Sequence, residues 1–114
     1  MTDEKSLRQL QREVDEWVRT WGGGYWSPLA NLARIAEEVG ELARLINDLY
    51  GEKPKKPTEP DQDLGMELTD IIYAVICLAN SQGIDLQDSF ERMMAKYRTR
   101  DRFRYVEDNP MVDE

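Results

Sequence analysis

The sequence contains no histidine among its 114 residues. This absence removes the commonest general base at neutral pH, the imidazole ligands of most zinc sites and every catalytic triad built on histidine. The single cysteine, Cys77, excludes a disulfide within the chain and is typical of a reducing cytoplasm. If the protein is an enzyme, carboxylates, lysine, arginine or tyrosine must carry its chemistry.

Positive charge and long apolar runs are also scarce. The chain has 15 lysines and arginines against 23 aspartates and glutamates, a net charge of −8. Because such a surface repels phosphodiester backbones, we expect no nucleic-acid partner. No apolar run reaches the roughly 18 residues of a bilayer span, and the N-terminus lacks the apolar stretch of a signal peptide. We therefore expect a cytoplasmic protein with no membrane partner.

Apolar residues recur with helical spacing in four segments, and no long stretch alternates with the period of a strand. The pattern predicts helices at about 3–21, 28–50, 62–81 and 86–100. Ser27 and Pro28 are typical of a helix start, Gly51 of a helix end, and Asp85 of an N-cap. We predict an all-α fold, a four-helix bundle over residues 1–107, followed by a flexible acidic tail at 108–114.

Apolar stripes indicate which helix faces form the core. The first helix repeats Leu7, Leu10, Val14, Trp17, Val18 and Trp21, and the second repeats Leu32, Ile35, Val39, Ile46 and Tyr50. The third helix differs, because the run IIYAVICLA at 71–79 is apolar around almost its whole circumference. A chain this short has little else to surround that helix, so we expect a homo-oligomer, a dimer or tetramer. The alternative is a monomer in which Ile72 and Ile76 are partly exposed.

Two acidic pairs stand out, Glu38 with Glu41 and Glu67 with Asp70. Residues three apart lie on one face of a helix, although such pairs are common on solvated helices. At about 100° per residue, Glu67 falls in the middle of the apolar stripe of the third helix, and Asp70 lies about 60° from it. Buried ionised carboxylates are costly unless they are paired or bind a cation. Packing the two helices together would bring four carboxylates to one place.

The ligand types indicate which cation resolves that repulsion. Sites made only of oxygen suit Mg²⁺, Mn²⁺ or Ca²⁺, and Mg²⁺ is commonly completed by substrate phosphates. A water held by the metal and a spare carboxylate is a ready nucleophile. The acids therefore favour a phosphoryl or nucleotidyl substrate.

Other side chains are candidates for the substrate and the water. Lys96 and Arg100 share one flank of the fourth helix and could bind phosphates, although a solvated basic flank is an equal reading. Tyr25 and Trp26 follow a glycine run and could stack on a base, and Asn80 could read a base edge or hold a helix end. Glu37 lies about 40° from Glu41 and could orient or deprotonate water, or be a solvated glutamate.

The acids also carry a resemblance to a known family. The doubled acid in Glu37-Glu38-Val39-Gly40-Glu41, followed after 25 residues by Glu67-x-x-Asp70, resembles the MazG signature, and the similarity extends over about 28–100. The chain is most similar to the short, stand-alone members.

The resemblance implies an all-α nucleoside triphosphate pyrophosphohydrolase that depends on Mg²⁺, with Mn²⁺ as a substitute. It implies cleavage between the α and β phosphates, assembly as a dimer or dimer of dimers, and a role in clearing unwanted nucleotides. Glu38, Glu41, Glu67 and Asp70 would bind the metal, and Lys96 and Arg100 the phosphates.

Two other classes of protein share some of these features. A di-iron carboxylate bundle also uses acids on facing helices, but it normally needs the histidine that this chain lacks. A metal-dependent dimerisation or regulatory module would keep the acids without turnover. It would be stabilised by metal and consume no nucleotide.

Overall fold

A computed structural model describes residues 3–52, 63–101 and 104. The described residues form four α-helices and no strand: α1 Leu7–Thr20, α2 Pro28–Tyr50, α3 Leu64–Ser81 and α4 Leu86–Asp101. This confirms the predicted all-α class. The lysine- and proline-rich segment at 53–60 and the acidic tail at 108–114 lie outside the described residues.

Local capping explains where the helices begin. The Ser27 hydroxyl accepts the backbone N–H of Ala30 at 3.2 Å, and Pro28 occupies the first helical position, where no hydrogen bond is lost. Asp85 accepts the N–H of Gln87 at 3.0 Å at the start of α4. The predicted starts of α2 and α4 are therefore confirmed.

A glycine turn after α1 brings Tyr25 and Trp26 back over the bundle. Gly23 and Gly24 have φ angles of 82° and 90°, in the left-handed region that other residues rarely adopt. The Gly24 N–H donates to the Val18 carbonyl at 3.1 Å, which closes the end of α1. The turn places Tyr25 and Trp26 at the edge of a small cavity that α1, α2 and α3 line together.

The helix α3 is the centre of the bundle. It packs most extensively along α2 and also against α1, while α4 packs against α1. The two longest helices, α2 and α3, run antiparallel. Glu38 of α2 lies beside Asp70 of α3, and the earlier residue Arg34 lies beside the later residue Tyr73. Four of the six buried apolar residues belong to α3; the full set is Val18, Leu45, Ala74, Ile76, Cys77 and Ala79.

The core prediction for α1 is wrong at its tryptophans. Trp17 is 49% exposed and Trp21 is 77% exposed, whereas Val18 is 3% exposed. The helix ends at Thr20, so helical spacing no longer places Trp21 on the buried face. Near the C-terminal end of α1, the side chain that is buried against the bundle is therefore that of Val18.

The stripe predicted for α2 is wrong as well. Leu32, Val39 and Ile46 are 56%, 47% and 39% exposed, whereas Asn31 and Leu45 are almost fully buried. Apolar residues occupy more than one side of this helix, so periodicity did not distinguish the side that faces α3. The side that does face α3 carries Glu38 near its centre.

The apolar circumference of α3 is only partly covered. Ile76 is buried, but Ile72 is 50% exposed and Val75 is 38% exposed. By length and composition α3 could cross a membrane, with a mean hydropathy of 1.3, although core helices of soluble proteins pass the same test. The sequence was expected to hold no such segment. Within the bundle, this helix also carries Glu67 and Asp70.

Candidate metal and nucleotide site

Three of the predicted ligands meet between α2 and α3. Glu67 lies in the first turn of α3 and is only 8% exposed, while Glu38 and Asp70 are half-buried. One carboxylate oxygen from each of the three lies within 4.8 Å of the other two. Three acids of like charge at this spacing repel one another strongly in a partly dry environment. We call Glu38, Glu67 and Asp70 the carboxylate cluster.

The carboxylate cluster leaves polar atoms unsatisfied. Among the described residues, Glu38 Oε2 and Glu67 Oε2 are buried and accept no hydrogen bond. A buried acceptor without a partner loses the full free energy of its hydration, so native structures rarely retain one unless a ligand or ion completes it. Both atoms are hard oxygen donors, which fits a divalent cation such as Mg²⁺.

The electrostatics of the cluster agree with that fit. Burial raises the pKa of both Glu38 and Glu67, and the charges of Glu41 and Asp70 raise the pKa of each further. The positive charge of Arg34 acts in the opposite direction on the pKa of Glu38. A bound divalent cation would stabilise the ionised forms, because its charge lies closer to the oxygens than any side-chain cation.

The remaining predicted acids lie outside the three-residue cluster. Glu41 is exposed, and its influence on the pKa of Glu38 and Glu67 indicates that it lies close to their carboxylates. Glu37 is exposed on α2, beside Glu38 in the chain. That Glu41 is the fourth metal ligand stays a prediction. That Glu37 orients or deprotonates a water molecule also stays a prediction.

A second feature, which the sequence did not reveal, adjoins the cluster. Arg34 lies one helical turn before Glu38, with its guanidinium carbon 5.4 Å from the centre of the Trp26 ring and 5.1 Å from that of Tyr73. These residues line a small cavity of about 50 Å³ together with Val18, Gly22, Gly24, Tyr25, Asn31 and Cys77. The spacing of Arg34 and Glu38, four apart on one helix, was the only signal available.

Tyr25 and Asn80 have partners within the protein. The Tyr25 hydroxyl donates to Asp15 Oδ1 at 2.6 Å and accepts the amide of Asn80 at 3.0 Å. Asn80 also donates to the Gln11 carbonyl and accepts the Gln11 side chain. Burial and the hydrogen bond to Asp15 raise the pKa of Tyr25 to about 12. Asn80 therefore holds α1 and the Tyr25 turn on α3, and its contact with a base stays a prediction.

The predicted phosphate ligands lie on α4, a different helix from those that carry the carboxylate cluster. Lys96 and Arg100 are exposed on α4, which packs against α1. The Arg100 guanidinium binds Asp101 at 3.0 Å and lies over the Tyr97 ring. Within the described part of the chain, no hydrogen bond or ion pair joins either residue to the carboxylate cluster.

Comparison with known proteins places this geometry in a family. Residues 26–104 match the MazG nucleotide pyrophosphohydrolase domain. The uncharacterized protein YpjD of Bacillus subtilis (strain 168) is 46% identical over 103 residues, which span 90% of this chain and 93% of that protein. Another uncharacterized Bacillus subtilis protein, YvdC, is 27% identical over 82% of this chain and 94% of its own length.

Solved structures agree with the sequence matches. A crystal structure of YPJD from Bacillus subtilis, a candidate pyrophosphatase, superposes with a TM-score of 0.77 at 43% identity, over 88% of this chain and all of that one. The crystal structure of the Bacillus-conserved MazG protein, a nucleotide pyrophosphohydrolase, superposes with a TM-score of 0.72 at 39% identity. The match covers 88% of this chain and 97% of that one. The chain belongs to the MazG nucleotide pyrophosphohydrolase family, as its acidic signature predicted, and it is a hydrolase that acts on nucleotides.

Proposed function

We propose that this protein hydrolyses nucleoside or deoxynucleoside triphosphates between the α and β phosphates, giving a monophosphate and pyrophosphate. The single observation that carries the proposal is the pair of buried, unsatisfied oxygens of Glu38 and Glu67, which lie beside Asp70. Such a site is stabilised by a divalent cation and a phosphate chain, and the family supplies the class of reaction.

The acidic side chains are proposed to bind the metal and to activate water. Glu38, Glu67 and Asp70, with Glu41 at the edge, would hold Mg²⁺, or Mn²⁺ as its substitute. A bound cation offsets the phosphate charge and makes a coordinated water more acidic. Glu37 is exposed and precedes Glu38 in the chain, and it is proposed to orient that water or accept its proton.

Phosphate and base contacts complete the proposal. Trp26 is 54% exposed, which leaves ring surface on which a base could stack. Tyr25 and Asn80, which are hydrogen-bonded to each other, remain proposed base contacts. Lys96 and Arg100 remain proposed phosphate ligands. An unchanged KM in Lys96→Gln and Arg100→Gln variants would remove them from the site.

Product analysis tests the reaction. A panel of ribo- and deoxynucleoside triphosphates is incubated with Mg²⁺, with Mn²⁺ and with chelator, and monophosphate, diphosphate, pyrophosphate and phosphate are separated. We expect metal-dependent monophosphate and pyrophosphate. Diphosphate with phosphate would show that the wrong bond was assigned. Metal-dependent stabilisation without consumption of any nucleotide would favour a regulatory module instead.

We also propose that the protein is a cytoplasmic homo-oligomer. Two separate apolar surfaces are exposed on the described chain: one on α3 and α4, including Ile72, Val75 and Phe90, and one on α2, including Leu32 and Val39. The first borders an apolar groove of about 260 Å³. Exposed apolar patches of this kind mark interfaces, and a tetramer needs two of them, whereas a dimer needs one.

Light scattering of purified variants distinguishes these assemblies. We expect Ile72→Asp to lower the molar mass of the assembly, and Val39→Asp to lower it further only if the protein is a tetramer. Trp21→Asp is the control, since Trp21 is 77% exposed at the end of α1 and belongs to neither surface. A wild-type protein with the mass of a single chain would refute the proposal.

A further inference from the structure

The position of Arg34 is unusual for an arginine in this chain. It is half-buried, and its guanidinium is packed between the rings of Trp26 and Tyr73 at 5.4 and 5.1 Å. Two aromatic faces offset part of the cost of removing the charge from water. They also hold the planar group in a fixed orientation, so little conformational entropy remains to be lost when an anion binds.

The hydrogen-bonding capacity of Arg34 is unused. Within the described part of the chain, no acceptor is recorded for its five N–H groups, and no carboxylate lies within 4.0 Å of them. Several exposed arginines are paired, for example Arg8 with Asp85 at 2.8 Å and Arg92 with Asp88 at 2.9 Å. Arg12 and Arg98 have no recorded partner among the described residues, but both are exposed and therefore hydrated. Arg34 is thus a half-buried cation, held in orientation by two aromatic rings, whose N–H groups could donate to a bound ligand.

Its location limits what the acceptor can be. The guanidinium carbon lies 5.4 Å from the centre of the Trp26 ring, and its charge lowers the pKa of Glu38, one helical turn further along α2. The adjoining cavity, about 50 Å³, is far smaller than the roughly 300–1,000 Å³ of a complete ligand pocket, so it suits one chemical group. Suppose that a nucleotide binds with its phosphates at the carboxylate cluster and its base on Trp26. The α-phosphate, which is attached to the sugar, would then lie nearest to Arg34.

We propose that Arg34 is a substrate-binding residue that contacts the α-phosphate of the nucleotide. This inference rests on the proposed function, because it takes the carboxylate cluster as the end where the phosphates lie. An arginine fork matches two phosphate oxygens at once. The monophosphate product keeps the α-phosphate, so Arg34 should bind the product, whereas it should contribute nothing to binding of pyrophosphate.

Binding of the product pieces tests the assignment without turnover. Nucleoside, nucleoside monophosphate and inorganic pyrophosphate are each titrated in the presence of Mg²⁺ into wild type, Arg34→Gln and Arg34→Lys. The indole N–H signals of the three tryptophans in ¹H–¹⁵N spectra report both binding and an intact fold. The base of the nucleotide is the one that the product panel finds to be turned over fastest.

We expect Arg34→Gln to weaken monophosphate binding by roughly tenfold or more, since charge-assisted hydrogen bonds are lost. Arg34→Lys should lie between it and wild type, because lysine keeps the charge but not the fork. Nucleoside and pyrophosphate binding should be unchanged. Arg12→Gln is the matched control, with the same change of charge on an exposed position, and should bind all three as wild type does.

The contradicting results are distinct from a failure of the proposed function. Weaker nucleoside binding in Arg34→Gln would make the residue a base reader, and weaker pyrophosphate binding would assign it to the β and γ phosphates. Unchanged monophosphate affinity, or no monophosphate binding by wild type, would overturn the assignment. If wild type still produced monophosphate and pyrophosphate in either case, only the role of Arg34 would be lost. An absence of any turnover would instead remove the proposed function.

Discussion

Two polar regions of this bundle contrast in how well their hydrogen bonds are satisfied. Between α1 and α3, Gln11, Asn80, Tyr25 and Asp15 form a closed network with bonds of 2.6–3.0 Å. Between α2 and α3, two carboxylate oxygens are buried without a partner, and like charges lie together. The first region is complete in the protein alone, which is typical of a structural role. The second region needs something from outside the chain, so it is the candidate site.

Removing one acid should have the largest effect. Glu67→Gln keeps the shape of the side chain but deletes the charge, so we expect turnover to fall by at least roughly 10²-fold. The metal-free protein should melt at a higher temperature, because a buried charge is lost, and added Mg²⁺ should no longer raise that temperature. Steady-state assays and thermal unfolding with and without Mg²⁺ measure both.

The matched control for this variant is Glu91→Gln, an exposed acid on α4. It should keep wild-type turnover and the wild-type response to Mg²⁺. Full activity in Glu67→Gln, or a lower melting temperature without metal, would show that the unsatisfied acids have a structural role after all. The contrast between the two regions would then be lost.

A change in the closed network should act on stability. Asn80→Ala removes the amide shared by Gln11 and Tyr25, and we expect the free energy of unfolding to fall by about 1–3 kcal/mol. The rise in melting temperature on adding Mg²⁺ should stay as in wild type. Urea denaturation measures the first quantity, and Gln82→Ala, an exposed amide two positions later, is the control. A variant as stable as wild type that no longer responds to Mg²⁺ would reverse the assignment of the two regions.

The smallest expected effect concerns pH. Since the pKa of Tyr25 is raised to about 12 in the folded protein, above the value of about 10 for an unfolded tyrosine, the folded state favours the protonated hydroxyl. Its contribution to stability is complete below about pH 10 and is lost as the pH rises towards 12.

Tyr25→Phe tests this contribution. We expect the variant to be less stable than wild type at neutral pH by about 1 kcal/mol, and this difference to shrink as the solution becomes alkaline. Denaturation at a series of pH values provides the measurement. A difference that is constant with pH would mean that Tyr25 is not hydrogen-bonded as a donor to Asp15.

Much of the fold follows from local signals in the sequence. The helix starts at Pro28 and Leu86 were predicted correctly, because the N-cap side chains that define them lie beside them in the chain. The inner face of α2 was not predicted, because apolar residues occur on more than one of its sides. Trp21 was misplaced for a related reason, since periodicity assumes that the helix continues.

The candidate site was also predicted in part. Glu38, Glu67 and Asp70 were selected by their helical spacing, and the structure brings them together. Arg34 was missed, because a lone arginine four residues before a glutamate is ordinary on a solvated helix. Its two aromatic neighbours come from a turn 8 residues earlier and a helix 39 residues later, so no local pattern contains them.

The sequence by itself determined the helical segments, the acidic signature that assigns the family, and the absence of histidine that leaves oxygen as the main metal ligand. These are properties of residue type and spacing along one chain. Only the tertiary structure decided which polar groups are satisfied and which are not, because burial and hydrogen bonding depend on side chains far apart in sequence. For that reason, the distinction between the network at Asn80 and the cluster at Glu67 emerges only when α1, α2 and α3 are packed together.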